Sequence, residues 1–228
     1  MPGPYKTAST GASKATMSFV TRWMARRRGG MAAMYEQFAI GMEKAGMAAV
    51  RARLAGDLRG RVIEIGCGTG LNFSYYSADA EVTAIEPLAE FRLFAAERAK
   101  TVAARIEVQE GDAQELPFDD HTFDAALETL AFCSVPDADK GLRELRRVVK
   151  PGASVRFFEH VRSDHTAAAL AQNAFNPLWR WLADGCNLNR DTVAAIRAAG
   201  FTVERVEARA IPIPRAPRLP FREIEARA

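Results

Sequence analysis

The sequence predicts a Rossmann-like, doubly wound α/β fold, in which a mostly parallel sheet carries helices on both faces. From residue 61 onward, short apolar stretches typical of strands alternate with stretches of helical periodicity, and this alternation favours parallel strands joined by helical crossovers. The first apolar stretch also runs directly into GCGTG at 66–70, a loop typical of the first strand-to-helix turn of such sheets. We expect a single domain over residues 31–228 with a helical extension at its N-terminus.

The N-terminal residues 1–30 form a basic arm. No Asp or Glu precedes Glu36, whereas six Lys and Arg residues occur there. We expect residues 1–15 to be disordered, because they hold little that can be buried. In residues 16–28 the apolar side chains Phe19, Val20, Trp23 and Met24 fall on one helical face. This pattern suits an amphipathic helix on an anionic membrane, a lid over a site, a solvated tail or a transit peptide.

The central elements follow in order. Helical periodicity resumes at about Met31 and ends near Leu58. Five strands are then expected at RVIEIG (61–66), EVTAIE (81–86), RIEVQEG (105–111), TFDAALETL (122–130) and ASVRFFEHV (153–161). Helices are expected at LAEFRLFAAERAKTVA (88–103) and DADKGLRELRRVVK (137–150), the second closed by Pro151 and Gly152.

The C-terminal part continues the alternation less clearly. An Ala-rich stretch at 166–183 precedes a short helix, RDTVAAIRAAG, whose N-cap is Asn189 or Asp191. FTVERVEAR (201–209) is a sixth strand. Four prolines between 212 and 220 exclude regular structure there, and FREIEARA (221–228) is expected to form at most an edge strand.

Composition excludes several classes of function. A net charge of +3 gives no reason to expect nucleic acid as a partner. The three cysteines are widely spaced without a C-x-x-C pair, which argues against a disulfide framework and against a zinc site, so we expect no metal. No apolar run is long enough to span a membrane, and we therefore expect a cytoplasmic protein, with peripheral membrane contact through residues 16–28 as one alternative.

The spacing of the glycine loop selects its ligand. A dinucleotide fingerprint needs G-x-G-x-x-G, but Leu71 occupies the third position and the glycine is Gly70. G-x-G-x-G instead suits S-adenosylmethionine, which has no pyrophosphate. Glu86 ends the second strand and can accept hydrogen bonds from both ribose hydroxyls. Asp112 ends the third strand and can accept from the adenine amino group, with the Ala113 amide nearby; alternatively, Glu86 is a helix N-terminal charge and Asp112 a turn residue.

These residues carry a family resemblance. VIEIGCGTG, TAIEP, GDAQELPF, FDAAL and ELRRVVKPGASVRFFEHV resemble the class I S-adenosylmethionine-dependent methyltransferases over about residues 34 to 210. FCSVPD, FFEHVR and PLWRWLADGCNLNRDT are similar to the thiol S-methyltransferases of that class and their bacterial relatives. Animal members have an apolar N-terminal membrane anchor, whereas the arm of this chain is basic. The resemblance implies these cofactor contacts: Glu64, Gly66, Gly68, Gly70, Asn72, Glu86, Pro87, Asp112, Ala113, Thr129 and Leu130.

The implied reaction is an in-line transfer of a methyl group to a small, mostly apolar acceptor, with a thiol sulfur as the leading candidate. A thiol is mostly protonated at neutral pH, so a base raises the rate. His160, after the fifth strand, is the candidate base; alternatively it only bonds a neighbouring loop. His121 and His165 are expected at the surface. The candidate acceptor-binding residues are Cys133, Trp179, Asp184 and Cys186.

Structural alternatives exist for each of these residues. The segment DGCNLNRD can be a tight turn before a helix cap, with Arg190 pairing Asp191. Cys67 and Cys133 can be small buried thiols, and Trp179 can fill the core.

Other functions also remain open. The acceptor atom can be an oxygen, carbon or nitrogen of a quinone-like or lipid molecule, or the chain can be a non-catalytic S-adenosylmethionine-binding module. An NAD-dependent oxidoreductase is disfavoured by Leu71 and by the lack of a Tyr-x-x-x-Lys pair.

Overall fold

The computed structural model describes residues 30–183, 185–211 and 219–228. Residues 1–29, for which the sequence predicts a basic arm with an amphipathic helix at 16–28, lie outside the described part. Asp184 also lies outside it. Within the described ranges, no helix is both long enough and apolar enough to cross a membrane.

The described strands form one seven-stranded sheet in the order β3-β2-β1-β4-β5-β7-β6. Strands β1 to β5 are parallel to one another, and β7 is antiparallel to both β5 and β6. The strands are β1 Gly60–Ile65, β2 Ala80–Ile85, β3 Arg105–Gln109, β4 Phe123–Thr129, β5 Val149–His160, β6 Thr202–Arg209 and β7 Phe221–Arg227. The helices are α1 Met31–Met42, a π-helical turn Glu43–Met47, α2 Ala48–Ala55, α3 Ala89–Ala99, α4 Ala138–Val148, α5 Thr166–Leu182 and α6 Thr192–Ala198.

Helices cover both faces of the sheet, as the alternation predicts. Successive strand residues point to opposite faces, and the buried core accordingly divides into two clusters. Val62 of β1 and Phe158 of β5 belong to the cluster that includes α2 and α3. Ile63 and Phe157 belong to the cluster that includes α4 and α6. The doubly wound fold is therefore confirmed.

The predicted helix over residues 31–58 is interrupted. Gly46 has φ 123° inside the π-helical turn, a conformation that glycine adopts without the penalty other residues incur. The interruption separates α1 from α2, and α2 ends at Ala55. The change of direction aims one arginine of α2, Arg51, into the interior, where its side chain is 6% exposed.

The expectation that Pro151 and Gly152 close the fourth helix is wrong. Helix α4 ends at Val148, and β5 begins at Val149 and includes both residues. The pairing of β4 with β5 shifts register between Phe123 and Ala125. A bulge of this kind accommodates a proline without a central ladder bond.

The expectation of an edge strand at the C-terminus is also wrong, because β7 lies between β5 and β6. Its most deeply buried charged side chain is paired instead of solvated. Glu223 is 2% exposed and accepts hydrogen bonds from Arg53 and Arg209. Salt bridges to buried groups let a strand rich in Glu and Arg occupy the sheet interior.

Candidate functional site

The loop that follows β1 is formed by residues 66–70, and its three glycines have positive φ values of 63°, 58° and 82°. A Cβ on Gly66 would lie 2.4 Å from the Cβ of Ala131, and one on Gly70 would lie 2.5 Å from the Phe73 ring. Packing therefore requires glycine at these two positions. At Gly68 an added Cβ would make ordinary van der Waals contact with the Phe91 ring at 3.8 Å, so packing leaves room there and the positive φ alone favours glycine.

Glu86 follows β2 directly and lies against this loop. One carboxylate oxygen accepts the Gly68 amide at 3.0 Å and the other accepts the Leu88 amide at 2.9 Å. A carboxylate offers about four acceptor sites, so capacity remains for two ribose hydroxyls. Burial raises the pKa of Glu86, although the two amide bonds oppose that shift. A buried carboxylate with free acceptor capacity beside the glycine loop fits an adenosyl ligand.

A buried hydrogen-bond network lies next to the glycine loop. Asn72 donates from Nδ2 to Glu64 Oε1 and to Thr129 Oγ1, both at 2.9 Å. Tyr76 donates its hydroxyl to the other oxygen of Glu64 at 2.7 Å. Arg51 completes the network by donating to Asn72 Oδ1 at 2.7 Å. Glu64, Asn72 and Thr129 are thus brought together in a network that fixes the ends of β1 and β4.

Burial in this network changes the acidity of Glu64. Burial raises the pKa of Glu64 to about 7, even though the bonds from Tyr76 and Asn72 and the charge of Arg51 all lower it. Arg51 also forms an ion pair with Glu43 at 2.8 Å. Sequence reasoning missed Arg51 because Arg51 and Arg53 look alike in the helical pattern, and only the tertiary fold directs Arg51 inward.

Helix α1 is fastened over this region. Arg98 of α3 binds Glu36 of α1 at 2.8 Å and donates to the carbonyl oxygen of Thr69 in the glycine loop at 2.5 Å. The Ala32 amide donates to Glu90 at 3.2 Å. The N-terminal helix is therefore tied both to α3 and to the loop itself.

The adenine-side residues have a different character. Strand β3 ends at Gln109, so Asp112 does not end the strand as expected but lies three residues beyond it. Asp112 is exposed, and its carboxylate accepts from the backbone and side chain of Gln114 at 2.9 Å. Asp112 therefore bonds like a turn residue, and its exposed carboxylate can also accept a hydrogen bond from a ligand. Ala113 is buried, and Pro87 is exposed.

Leu130 follows β4 in an unusual backbone conformation. Its φ is 60°, which strains a residue that carries a side chain. Its amide donates to Phe158 of β5 at 2.8 Å, and its carbonyl oxygen accepts from the Cys133 thiol at 3.4 Å. The contact with Phe158 places the loop that follows β4 beside β5.

Two cysteines and a histidine meet at the carboxyl ends of β4 and β5. The ligand atoms of Cys133, His160 and Cys186 all lie within 4.8 Å of one another, and His160 Nε2 is 3.0 Å from Cys186 Sγ. We call these three residues the thiol–imidazole cluster. Because β1, β4 and β5 are adjacent in the sheet, the cluster and the glycine loop share one edge of the molecule.

The cluster perturbs the acidity of its members. The hydrogen bond from Cys133 lowers the pKa of Cys186 to about 4, assisted by His160 and by the indole of Trp179 and opposed by burial. Burial disfavours the charged form of His160, but the contact with Cys186 outweighs it and raises the pKa of His160. The two side chains together favour a thiolate–imidazolium pair.

Two buried carboxyl groups lie behind the cluster. Glu159 accepts the Cys133 amide at 3.0 Å, and Glu128 accepts the Phe132 amide at 3.3 Å. Burial raises the pKa of both carboxyls, and their mutual contact raises that of Glu128 further, so the pair shares one proton. The sequence held a signal for them, since each acid occurs near the end of an otherwise apolar strand.

The segment after α5 delivers Cys186 by a compact turn. Asn187 donates to the carbonyl oxygens of Cys133 and Gly185, each at 3.0 Å. Asp191 caps α6 by accepting from the Ala194 amide at 3.0 Å, which decides between the two expected caps. Arg190 does not pair with Asp191 but donates to the carbonyl oxygens of Phe132 and Pro136.

The remaining predicted residues are placed as follows. The Trp179 ring is half-buried, and its indole N–H interacts with the sulfur of Cys186. His121 and His165 are exposed, as expected. Cys67 is a buried filler, and burial raises the pKa of its thiol.

A groove of about 540 Å³ lies elsewhere, between α4 and α6, and includes Pro136, Leu142 and Arg190 in its lining. None of the residues predicted to bind cofactor or acceptor lines it. The groove therefore does not identify the site.

Comparison with known proteins gives a consistent family. A methyltransferase domain family matches residues 63–157. Thiol S-methyltransferase TMT1B of Rattus norvegicus is 35% identical over 161 residues, covering 66% of this chain and 66% of the rat protein. Thiol S-methyltransferase TMT1A of Homo sapiens is 36% identical over 146 residues, covering 62% and 59%. The chain thus spans 66% of the rat protein and 59% of the human protein, less than two thirds of the length of either.

More distant matches agree on the fold. Demethylmenaquinone methyltransferase of Lactiplantibacillus plantarum is 30% identical over 126 residues, covering 53% of this chain and 50% of that protein. The crystal structure of an S-adenosylmethionine-dependent methyltransferase of Methanosarcina mazei superposes with a TM-score of 0.60 at 19% identity, over 74% of this chain and 92% of that chain. The chain therefore contains a methyltransferase domain and has the sheet order and glycine loop of the class I S-adenosylmethionine-dependent methyltransferases.

Proposed function

We propose that the protein transfers the methyl group of S-adenosylmethionine to the thiol sulfur of a small, mostly apolar acceptor. The observation that carries the proposal is the thiol–imidazole cluster, which lies at the same sheet edge as the glycine loop and contains a histidine 3.0 Å from a thiol. The identity to thiol S-methyltransferases, 35% over 161 residues, supports the same acceptor atom.

The glycine loop and its neighbours hold the cofactor in this proposal. Gly66, Gly68 and Gly70 let it approach the main chain, and Glu86 accepts from its ribose. Asp112 and Ala113 meet the adenine, Pro87 flanks the ribose, and Thr129 and Leu130 lie beside the amino acid part. When bound, the cofactor supplies a methyl group already activated on a sulfonium. The network of Glu64, Asn72 and Arg51 keeps the loop in its binding shape.

The acceptor binds over the cluster, on the β4 and β5 side. The main contribution of the chain is to align the acceptor sulfur with the methyl group, because an in-line displacement needs the reacting atoms roughly 3 Å apart. His160 first returns its Nε2 proton to the Cys186 thiolate, and the neutral ring then takes the proton of the acceptor thiol at Nε2. Cys133, Cys186 and the half-buried Trp179 line the acceptor side, together with Asp184.

Incubation with labelled S-adenosylmethionine and a panel of thiols, phenols and quinols tests the proposal. We expect methyl thioethers to form in equal amount with S-adenosylhomocysteine. As a matched control, Glu86→Ala should lower product formation with every acceptor at sub-saturating cofactor, because it removes the cofactor contact. Methylation of phenols or quinols without any thioether would overturn the thiol assignment.

Methylation of a quinone-like acceptor is the second candidate. The similarity to a demethylmenaquinone methyltransferase, 30% identity over 126 residues, favours it. A quinol acceptor in the same panel distinguishes the two, since the thiol–imidazole cluster should have no influence on carbon methylation. Equal loss of quinol and thiol turnover in Cys186→Ser would argue against that distinction.

A further inference from the structure

The thiol–imidazole cluster has the composition of a metal site. Its three donors come from separate segments: Cys133 from the loop after β4, His160 from the end of β5 and Cys186 from the turn after α5. Their ligand atoms lie within 4.8 Å of one another. Two sulfurs and one imidazole nitrogen form a donor set that suits zinc and excludes magnesium or calcium, which take oxygen ligands.

The spacing of the donors also fits. Bonds of about 2.3 Å to sulfur and about 2.0–2.1 Å to nitrogen separate the ligand atoms of a tetrahedral zinc by roughly 3.5–3.8 Å. The contact of 3.0 Å between His160 Nε2 and Cys186 Sγ needs to open by only about half an ångström to reach that geometry. The other donor atoms, all within 4.8 Å of one another, need to move by at most about 1 Å to reach it.

The donors of the cluster are shielded from solvent. Cys133 and His160 are 3% and 6% exposed, and Cys186 is half-buried. His160 Nδ1 has no hydrogen-bond partner among the described residues, so no protein contact prevents it from carrying the ring proton while Nε2 presents its lone pair to a metal ion.

We propose that Cys133, His160 and Cys186 bind a zinc ion whose fourth position receives the acceptor thiol. Three protein ligands with one open position is the pattern of catalytic zinc sites. The metal-binding part stands on geometry alone, whereas the role of the fourth position rests on the proposed function. The proposal reverses the expectation from cysteine spacing, which detects only ligands that are close in sequence.

Each bond that breaks or forms at such a site, and the fate of the proton, can be stated. The acceptor S–H bond breaks as its sulfur binds the cation, and the proton leaves to solvent buffer, because zinc lowers the pKa of a bound thiol. The sulfur then forms a bond to the methyl carbon, and the cofactor sulfonium keeps the electron pair of the bond that breaks. The neutral thioether is a poor ligand and departs. In the metal-loaded protein His160 is therefore a ligand, and in the metal-free protein it accepts the proton.

Metal titration of the full chain, purified under reducing conditions, tests the binding. Co²⁺ should bind at about one ion per chain, with near-ultraviolet charge-transfer absorption from two thiolates, and Zn²⁺ should displace it. Cys133→Ser and Cys186→Ser should each halve that absorption and weaken zinc binding about 100-fold or more against a chromogenic chelator. His160→Gln should weaken binding while keeping the thiolate absorption, which covers the case in which a cysteine variant fails to fold.

Two matched controls keep the result specific. Cys67→Ser removes the third cysteine and His165→Gln removes an exposed histidine, and both should retain about one metal ion per chain. Absence of saturable zinc binding, or unchanged binding by Cys186→Ser and His160→Gln, would overturn the proposal. A disulfide between Cys133 and Cys186 that persists in millimolar thiol reductant would also overturn it.

The activity readout separates this inference from the proposed function. Thiol methylation by the metal-free protein at the full rate of the zinc-loaded protein would overturn the role of zinc and leave the proposed function standing. Zinc binding by the cluster without methylation of any thiol would overturn the proposed function and the role of the fourth position, while supporting the metal site.

Discussion

The two halves of the carboxyl edge of the sheet are built differently. The half at β1 and β2 is mostly main chain, with three glycines at positive φ and a carboxylate held by two amides. The half at β4 and β5 consists of side chains from three separate segments, gathered over two buried carboxyl groups. Cofactor binding is thus encoded locally, whereas the acceptor side depends on tertiary structure. Substitutions in the two halves should therefore have separable effects.

The largest effect should come from the acceptor half. His160→Ala removes the proposed proton acceptor and metal ligand, so thiol turnover should fall about 100- to 10,000-fold. The affinity for S-adenosylhomocysteine, measured by calorimetry, should stay within about threefold, because no cofactor contact is proposed for His160. A parallel loss of cofactor affinity would break the separation between the halves.

The free energy of unfolding should depend on pH through Glu64, which lies in the buried network next to the glycine loop. The pKa of Glu64 is about 7 in the folded protein, whereas the ordinary pKa of an exposed glutamate is 4.5. A group whose pKa is raised by folding stabilises the fold below its unfolded pKa, and that contribution disappears as pH rises through the folded pKa. Between pH 4.5 and pH 8 the free energy of unfolding should therefore fall by up to about 3 kcal/mol because of Glu64 alone.

Urea unfolding of the wild type and Glu64→Gln across that pH range measures this contribution. The amide cannot ionise, so the difference between the two proteins should change by the same amount. Parallel stability curves would mean that Glu64 does not titrate in this range.

Glu86→Ala tests the cofactor half separately from the acceptor half. It should reduce the affinity for S-adenosylhomocysteine about 100-fold, because two charge-assisted hydrogen bonds are lost. Zinc binding by the thiol–imidazole cluster should remain, since that site is on the other half. Calorimetry with each ligand checks both statements, and affinity for S-adenosylhomocysteine within threefold of wild type would contradict the proposed role of Glu86.

The smallest effect separates backbone strain from ligand contact. Gly68→Ala and Gly152→Ala both place a Cβ at positive φ, 58° and 78°, with no atom closer than 3.8 Å. Each should cost about 1–2 kcal/mol of stability. Only Gly68→Ala should also weaken S-adenosylhomocysteine binding, by about tenfold or more, because its methyl group enters the space facing the cofactor. Equal affinities of the two variants would place the cofactor away from Gly68.

Sequence reasoning captured what is local. The glycine loop, the carboxylate after β2 and the alternation of strands and helices each depend on residues within about 20 positions of one another, where periodicity and turn chemistry act. The same reasoning placed His160 at the end of a strand, but could not tell that Cys133 and Cys186 would meet it.

The rest required tertiary contacts. FREIEARA looks like an exposed edge because it is charged, and only Arg53 and Arg209 make a buried Glu223 acceptable inside the sheet. Arg51 is indistinguishable from Arg53 in sequence, but the break at Gly46 turns it inward. Strand order and the partners of buried charges are properties of the folded chain.

A crystal structure of the protein with bound S-adenosylhomocysteine tests the central claim most directly. The account predicts both ribose hydroxyls within about 3.2 Å of the Glu86 carboxylate, with the sulfur of the ligand turned toward Cys133, His160 and Cys186. A nucleoside bound away from Glu86, or a sulfur pointing away from the thiol–imidazole cluster, would contradict it.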